Sequence, residues 1–209
     1  MLTAMSTPAP EVRRATVGDL PRMAEVLSAS FQDDPVFVHM LPLDMHGRAS
    51  RLRRFFAMEL ARSQAEGGAW TTVDGAGAAV WHPPGLWKPS LWQSLRQLPG
   101  MLRVFGRQAA LGRQVLATMQ AHHPTSPHWY GLYLAVEAGH QGQGIGSSLM
   151  RPVLEHCDQQ QLPAYLEATS ERNRGLYLRH GFADRQALAL PSGGPVLRPM
   201  WREPNHIDT

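Results

Sequence analysis

The stretch Val136-Glu-Ala-Gly-His-Gln-Gly-Gln-Gly-Ile-Gly-Ser-Ser-Leu149 constrains this chain more than any other. It follows an apolar run that reads as a strand, and it opens a pattern that reads as a helix. Glycines at 142, 144 and 146 permit tight backbone turns and the close approach of a bulky ligand. The amides from about Gln143 to Ser147 then lie at a helix N-terminus, where unpaired donors and the helix dipole together favour an anion. A pyrophosphate is the natural guest. A glycine triplet alone is a weak signal, and a structural hairpin is the other reading. Two phosphate motifs are excluded. No Gly-Lys-Ser/Thr ending supplies the lysine of a nucleoside-triphosphate loop. The Gly142-x-Gly144-x-Gly146 spacing is wrong for a dinucleotide fingerprint, and no ribose-binding acid closes the next strand convincingly, although Glu167 is near.

The rest of the chain frames this turn. Residues 12–16 read as a short strand, and Asp19-Leu20-Pro21 as the start of a helix that Asp33-Asp34-Pro35 stops. A second helix is predicted over 47–64, then two strands at 70–74 and 78–82 joined by Gly75-Ala76-Gly77. Leu91 to His122 shows helical periodicity with interruptions at Pro99-Gly100 and Gly106, which predicts two helices inserted at about 88–122. Such apolar stripes form core, or the wall of a substrate channel. Tyr130 to Val136 is continuously apolar, as expected of a central strand buried on both faces. A helix at 144–160, a strand at 164–168, a helix at 172–179 and a hairpin from Phe182 follow. This alternation predicts an α/β (α+β) fold with a parallel pair inside a mixed sheet. One domain is expected over 11–202, with flexible tails at 1–10 and 203–209.

Composition removes several functions. The net charge is +3, and Lys88 is the sole lysine among 20 basic residues, too thin and scattered an excess for a nucleic-acid surface. The single cysteine, Cys157, excludes an intrachain disulfide framework and a multi-Cys zinc site, and fits a reducing cytoplasm. It continues the apolar stripe of its helix and reads as core. Ten histidines form no HxxxH with an acid, so no metal site is expected. No apolar run reaches the ~18 residues of a membrane span. MLTAMSTPAPEV lacks a basic segment followed by an apolar one, so no secretory signal is expected.

Gln141-x-x-Gly144-x-Gly146, placed after a strand ending in Val136, resembles the acyl-coenzyme A loop of the GNAT superfamily of N-acetyltransferases. The resemblance continues in register through Asn173-x-x-x-Tyr177 and His180-Gly181-Phe182. Residues 128–202 are similar in particular to the puromycin N-acetyltransferase branch, on Trp129-Tyr130, Pro152, Pro163 to Glu167, and Leu190-Pro191 through Gly194-Pro195 to Met200. The region 12–82 matches only in general layout, and 86–122 hardly at all.

The resemblance implies a single domain with a central, mostly antiparallel sheet and a splayed parallel strand pair, flanked by helices. It implies acetyl transfer from acetyl-coenzyme A to an amine in a ternary complex, with the acyl-coenzyme A part at about 128–190. Leu134 and Val136 would lie against the pantetheine arm, and Gln141, Gly142, Gln143, Gly144, Ile145, Gly146 and Ser147 would take the pyrophosphate. Tyr177 matches the general acid; on a helix it shares a face with Asn173, which either bonds the cofactor or sits near the N-cap. A dimer is this superfamily's common habit.

The amine must be neutral to attack, so the chemistry needs a base. Glu167 leads, because an acid in an otherwise apolar strand, on the same face as Tyr165, is expected to face a cleft rather than be buried unpaired. The alternative is a salt bridge to an Arg. Glu137 is second, and His128 and His140 also titrate in a useful range. A small primary amine is the expected acceptor, since Trp70, Trp81, Trp87, Trp92 and the inserted helices suggest an enclosed pocket. A protein or peptide acetyltransferase and a non-catalytic acyl-coenzyme A-binding module are the other classes.

Overall fold

The computed structural model describes residues 10–42 and 44–205. Its sheet runs in the order β1 (Val12–Arg14), β2 (Ala69–Thr72), β3 (Gly77–His82), β4 (Trp129–Val136), β5 (Ala164–Ala168), β8 (Val196–Arg202), β6 (Ala183–Asp184), with β7 (Leu188–Ala189) also pairing with β8. Every pairing is antiparallel except β4 with β5. The helices are α1 (Leu20–Ser30), α2 (Pro35–Met40), α3 (Met45–Ala65), α4 (Leu91–Phe105), α5 (Ala109–His122), α6 (Ile145–Gln159) and α7 (Glu171–Arg179).

β3 shows how the sequence sorts the core. All six of its residues are buried, and the pleat sends alternate side chains to opposite faces. Ala78 and Val80 join a core with α1, α2 and α3, whereas Ala79 and Trp81 join a second core with α6 and α7. In α6, Ile145, Leu149, Val153 and Cys157 recur at helical spacing and face the sheet. Leu149 and Cys157 have no exposed surface, and burying one such leucine contributes roughly 2 kcal/mol. Burial pushes the Cys157 thiol up to about 12, in keeping with a core residue.

Several expectations are corrected. Asp33-Asp34-Pro35 ends α1 but also starts α2: Asp34 Oδ1 accepts from the amides of Val36 and Phe37, and Pro35 occupies the first helical turn, where its missing N–H costs nothing. Pro99-Gly100 does not interrupt its helix. The carbonyl that Pro99 leaves unbonded belongs to Leu95, which is 60% exposed and hence open to water. Gly100 marks a close approach instead, since a Cβ there would stand 2.3 Å from Met58 Sδ on α3. The break falls at Gly106, where φ is +53°. The strand expected to be buried on both faces is so only in part: Trp129, Tyr130 and Ala135 are buried, whereas Gly131 to Leu134 are half-buried because they border cavities. In the C-terminal tail expected to be loose, Asn205 is bonded to Asp158 and Gln161, and Glu203 to Trp201. Residues 1–9 and 206–209 of the two expected tails lie outside the described residues.

Candidate active site

β4 and β5 pair only from Trp129/Ala164 to Gly131/Leu166, and then part. Beyond that point β4 continues to Val136 with β3 on one edge and a cleft of about 710 Å3 on the other. Val136 closes the strand, its carbonyl accepting from Gln141 Nε2 at 3.3 Å and Ser30 Oγ at 3.4 Å. The glycine-rich turn then leads into α6. Gly142 and Gly144 both adopt φ of +81°, in the left-handed region, with open space where a Cβ would stand. The first helical bond runs from Ser148 N to Gly144 O, so the amides immediately before it have no helical carbonyl to meet. No Asp or Glu occurs between Gln141 and Ser147. His180 Nε2 lies 2.9 Å from Ser147 Oγ and ties α7 to this turn.

The cleft collects Leu134, Val136, Gln141, Gly142, Gly144, Ile145, Gly146, Ser147, Asn173 and Tyr177 on one surface. Gln143 is the exception: its side chain turns back to the Gly139 carbonyl at 3.4 Å. Arg172 and Arg179 also border the cleft, and sequence reasoning, which assigned the anion to backbone amides alone, overlooked them. Ser170 caps α7 through the Asn173 amide at 3.2 Å, so Asn173 is both next to the cap and in the cleft. Tyr177, one turn on, is buried, and burial pushes its hydroxyl up from the usual phenol range.

A second cavity, of about 660 Å3, lies between α4, α5 and β4. It meets the first at Phe31, Asp34, Leu134, Thr169, Asn173 and Tyr177, which border both. Glu167 borders the second cavity. Tyr165 and Glu167 share a face of β5, and parallel pairing sets Tyr130 opposite Tyr165, so three side chains converge. Tyr130 OH donates to Glu167 Oε2 at 2.8 Å. Tyr165 OH and Glu167 Oε1 are buried without hydrogen-bond partners among the described residues. Burial pushes the Glu167 carboxyl up to about 7, against the lowering effect of the Tyr130 and Tyr165 hydroxyls beside it. A carboxyl at that value accepts a proton near neutral pH. The arginine partner considered for Glu167 is replaced by a tyrosine.

The other base candidates fall elsewhere. Glu137 is paired with Arg22 at 2.6 Å on the outer surface, with His140 Nδ1 3.4 Å away. His128 is buried beside His123, with their Nε2 atoms 3.0 Å apart. The Ser126 carbonyl, 2.6 Å from His128 Nδ1, requires that nitrogen to carry the proton. In the neutral pair His123 Nε2–H therefore donates to His128. Burial pushes His123 down to about 3, so the pair stays neutral across the physiological range. Trp87 stacks on His123 at 3.6 Å. Of the four tryptophans expected around a pocket, Trp81 and Trp87 border the cavity; Trp92 is 83% exposed and Trp70 packs on the second core.

Asp34, Tyr130 and Thr169 were missed as site residues. Burial raises Asp34 above the usual carboxylate range, with hydrogen bonds from Thr169 and from the α2 amides acting the other way. Its Asp-Asp-Pro context signals a cap, and nothing local signals a cavity.

The Acetyltransferase (GNAT) family model matches residues 69–182. Over 189 residues the chain is 27% identical to an uncharacterized N-acetyltransferase of Schizosaccharomyces pombe, covering 85% of this chain and 76% of the relative. Its structure is similar to that of a histone acetyltransferase and related acetyltransferase from Corynebacterium glutamicum, with a TM-score of 0.73 and 27% identity over 96% of this chain and 99% of the other. The fold is shared with Drosophila melanogaster polyamine N-acetyltransferase, at a TM-score of 0.62 and 14% identity over 92% of this chain and 99% of that one.

Proposed function

Because the chain belongs to the acetyltransferase (GNAT) family, we propose that it transfers an acetyl group from acetyl-coenzyme A to a primary amine of a small molecule by direct attack in a ternary complex. The observation that carries this reading is the junction of two cavities at Asp34, Asn173 and Tyr177. One cavity is built for an anion and the other holds a carboxyl near neutrality.

The residues present fit the cofactor. The turn at Gln141–Ser147 offers free amides and contains no acid, Arg172 and Arg179 add positive charge to a cleft that Asp33 and Asp34 also border, and the unpaired edge of β4 at Leu134 and Val136 leads inward. When bound, acetyl-coenzyme A supplies the acetyl group as a thioester: the C–N bond to the amine forms as the C–S bond breaks. Glu167 would take the proton that the amine nitrogen loses, while Tyr130 holds Oε2 and fixes the carboxyl's orientation. Tyr177 would give its phenolic proton to the departing sulfur, and burial, which disfavours phenolate, keeps that proton in place beforehand. Asn173, one turn away on the same face of α7, would hold the cofactor arm.

The acceptor side favours a small molecule, because α4 and α5 line one side of the cavity beside Glu167. Within the family, the motifs at 128–202 favour the puromycin N-acetyltransferase branch. A reduced, buried Cys157 supports a cytoplasmic enzyme, and none of the described helices is long and apolar enough to cross a membrane. The test is thermal: acetyl-coenzyme A raises the melting temperature of the wild-type protein, and Gly144→Val, strained at its positive φ, or Gly146→Leu, pressed against Leu176, abolishes the rise. A wild-type protein that shows no shift at saturating cofactor refutes the proposal.

A further inference from the structure

The outward face of α4 is apolar where a surface helix is ordinarily polar. Leu91, Leu95, Leu98 and Leu102 recur at i, i+4, i+7 and i+11, which sets them on one stripe. Each is at least 50% exposed, and Leu91 reaches 84%. Trp92, also exposed, opens the adjoining row, which continues through Arg96 and Arg103 at the same spacing. The other side of the helix does the packing: Val104 is buried, and Gly100 meets Met58 of α3. Twelve large apolar side chains are exposed among the described residues, and seven of them fall between Leu86 and Leu116. Single exposed leucines are ordinary, whereas a cluster of this kind marks an interaction surface.

Charge is segregated in the same place. Residues 86–122 contain Lys88, Arg96, Arg103, Arg107 and Arg113 and not one Asp or Glu, a charge of +5. The whole chain carries +3, so everything outside this segment sums to −2 (3 − 5). The slight excess read from composition is the net of a cationic segment and a weakly anionic body. All five basic side chains are exposed, and none forms an ion pair among the described residues. Elsewhere Arg13, Arg22, Arg174 and Arg202 each hold an acid.

An occupant of this face must be apolar in its middle and anionic at its edge. A second copy packed face to face would bring one +5 segment against another within a Debye length. A nucleic acid would engage the cations and leave the leucine stripe in water. An anionic bilayer meets both demands. The leucines enter the boundary of the acyl chains, Trp92 sits at headgroup level, and Arg96 and Arg103 keep their guanidinium groups among the phosphates. At 15 residues α4 is too short to span a bilayer and long enough to lie in its surface.

We propose that α4 docks this protein peripherally on an anionic lipid surface, its leucine stripe inserted and its arginines paired with lipid phosphate. The docking does not depend on acetyl transfer, because Leu91, Trp92, Leu95, Arg96 and Arg103 border neither cavity.

The test is co-sedimentation of the full chain with vesicles of phosphatidylcholine alone and of equal parts phosphatidylcholine and phosphatidylglycerol. Partition into the mixed vesicles is expected to be at least about tenfold stronger, and about 0.5 M salt is expected to remove most of that difference. Arg96→Gln with Arg103→Gln, and separately Leu91→Ser with Leu95→Ser, are each expected to weaken binding to the mixed vesicles at least about tenfold. All four positions are exposed, and an unchanged circular dichroism spectrum and melting temperature establish that the fold is kept. No binding to the mixed vesicles at low salt, equal partition into both kinds, or binding that both variant pairs leave intact overturns the proposal. A concentration-dependent dimer that the leucine pair abolishes, without vesicle binding, overturns it in favour of a second copy. Binding to polyglutamate that equals vesicle binding and survives the leucine pair overturns it in favour of an acidic protein partner held by charge alone.

Discussion

Replacing Glu167 by Gln tests the catalytic role proposed for the carboxyl separately from what that carboxyl costs the fold. In the native protein its pKa stands at about 7, against an ordinary value of 4.5. Below pH 4.5 the carboxyl is protonated in folded and unfolded chains alike, and nothing is lost. Between pH 4.5 and 7 the unfolded chain releases the proton while the folded chain holds it, so stability falls as pH rises; above 7 the loss is complete. A shift of 2.5 units at 1.36 kcal/mol each makes that loss about 3 kcal/mol. Gln cannot ionise and escapes it. Any constant penalty from the changed bond to Tyr130 cancels when the difference between variant and wild type is followed against pH. Urea melts from pH 4 to pH 9 should show Glu167→Gln gaining up to about 3 kcal/mol on the wild type across that interval, or about 6–12 °C in melting temperature for a chain of this size. Over the same range kcat/KM of the wild type should rise with an apparent pKa of about 7; the variant should lose that limb and fall about 10²–10⁴-fold in rate. Stability curves that stay parallel from pH 4 to pH 9 would refute the premise that this carboxyl is held protonated by burial.

The other predictions concern the remaining parts of the site. Tyr177→Phe should lower kcat by about 10²-fold or more while leaving acetyl-coenzyme A affinity, measured by calorimetry, within about twofold; equal losses would make Tyr177 a binding residue only. Asp34→Ala should cost about 1 kcal/mol through loss of the α2 cap, read from denaturant melts. Cys157, its thiol pushed up to about 12, should resist iodoacetamide at pH 8 in the folded protein and react once urea unfolds it; rapid labelling of the native chain would contradict its place in the core.

What was legible in the sequence was local. Strand, glycine turn and helix between Trp129 and Gln159 announce themselves through apolar runs and positive-φ glycines, and the spacing of Asn173 and Tyr177 sets both on one helical face. Tyr165 and Glu167 could be placed on a common strand face by period alone. Their partner could not: Tyr130 reaches Glu167 through the register of a parallel pair 37 residues apart in the chain, which no local pattern encodes. The same holds for His123 and His128, whose contact depends on how the end of α5 returns to β4. Pro99-Gly100 misled for another reason. The pair is a helix breaker by propensity, but here it lies where the helix is open to water on one side and pressed on Met58 on the other. Asp34 was read as a stop signal because α2 is too short to show a period of its own.

Transfer of acetyl from a thioester to an amine is the reaction proposed for the two cavities that meet at Tyr177. It is tested most directly by incubating the protein with acetyl-coenzyme A and 2-phenylethylamine and measuring free thiol and N-acetylated amine together. The two products are expected in equal amounts, and Glu167→Gln and Tyr177→Phe are expected to suppress both. Thiol release without acetylated amine, or no thiol release from a protein that binds both compounds, would contradict it.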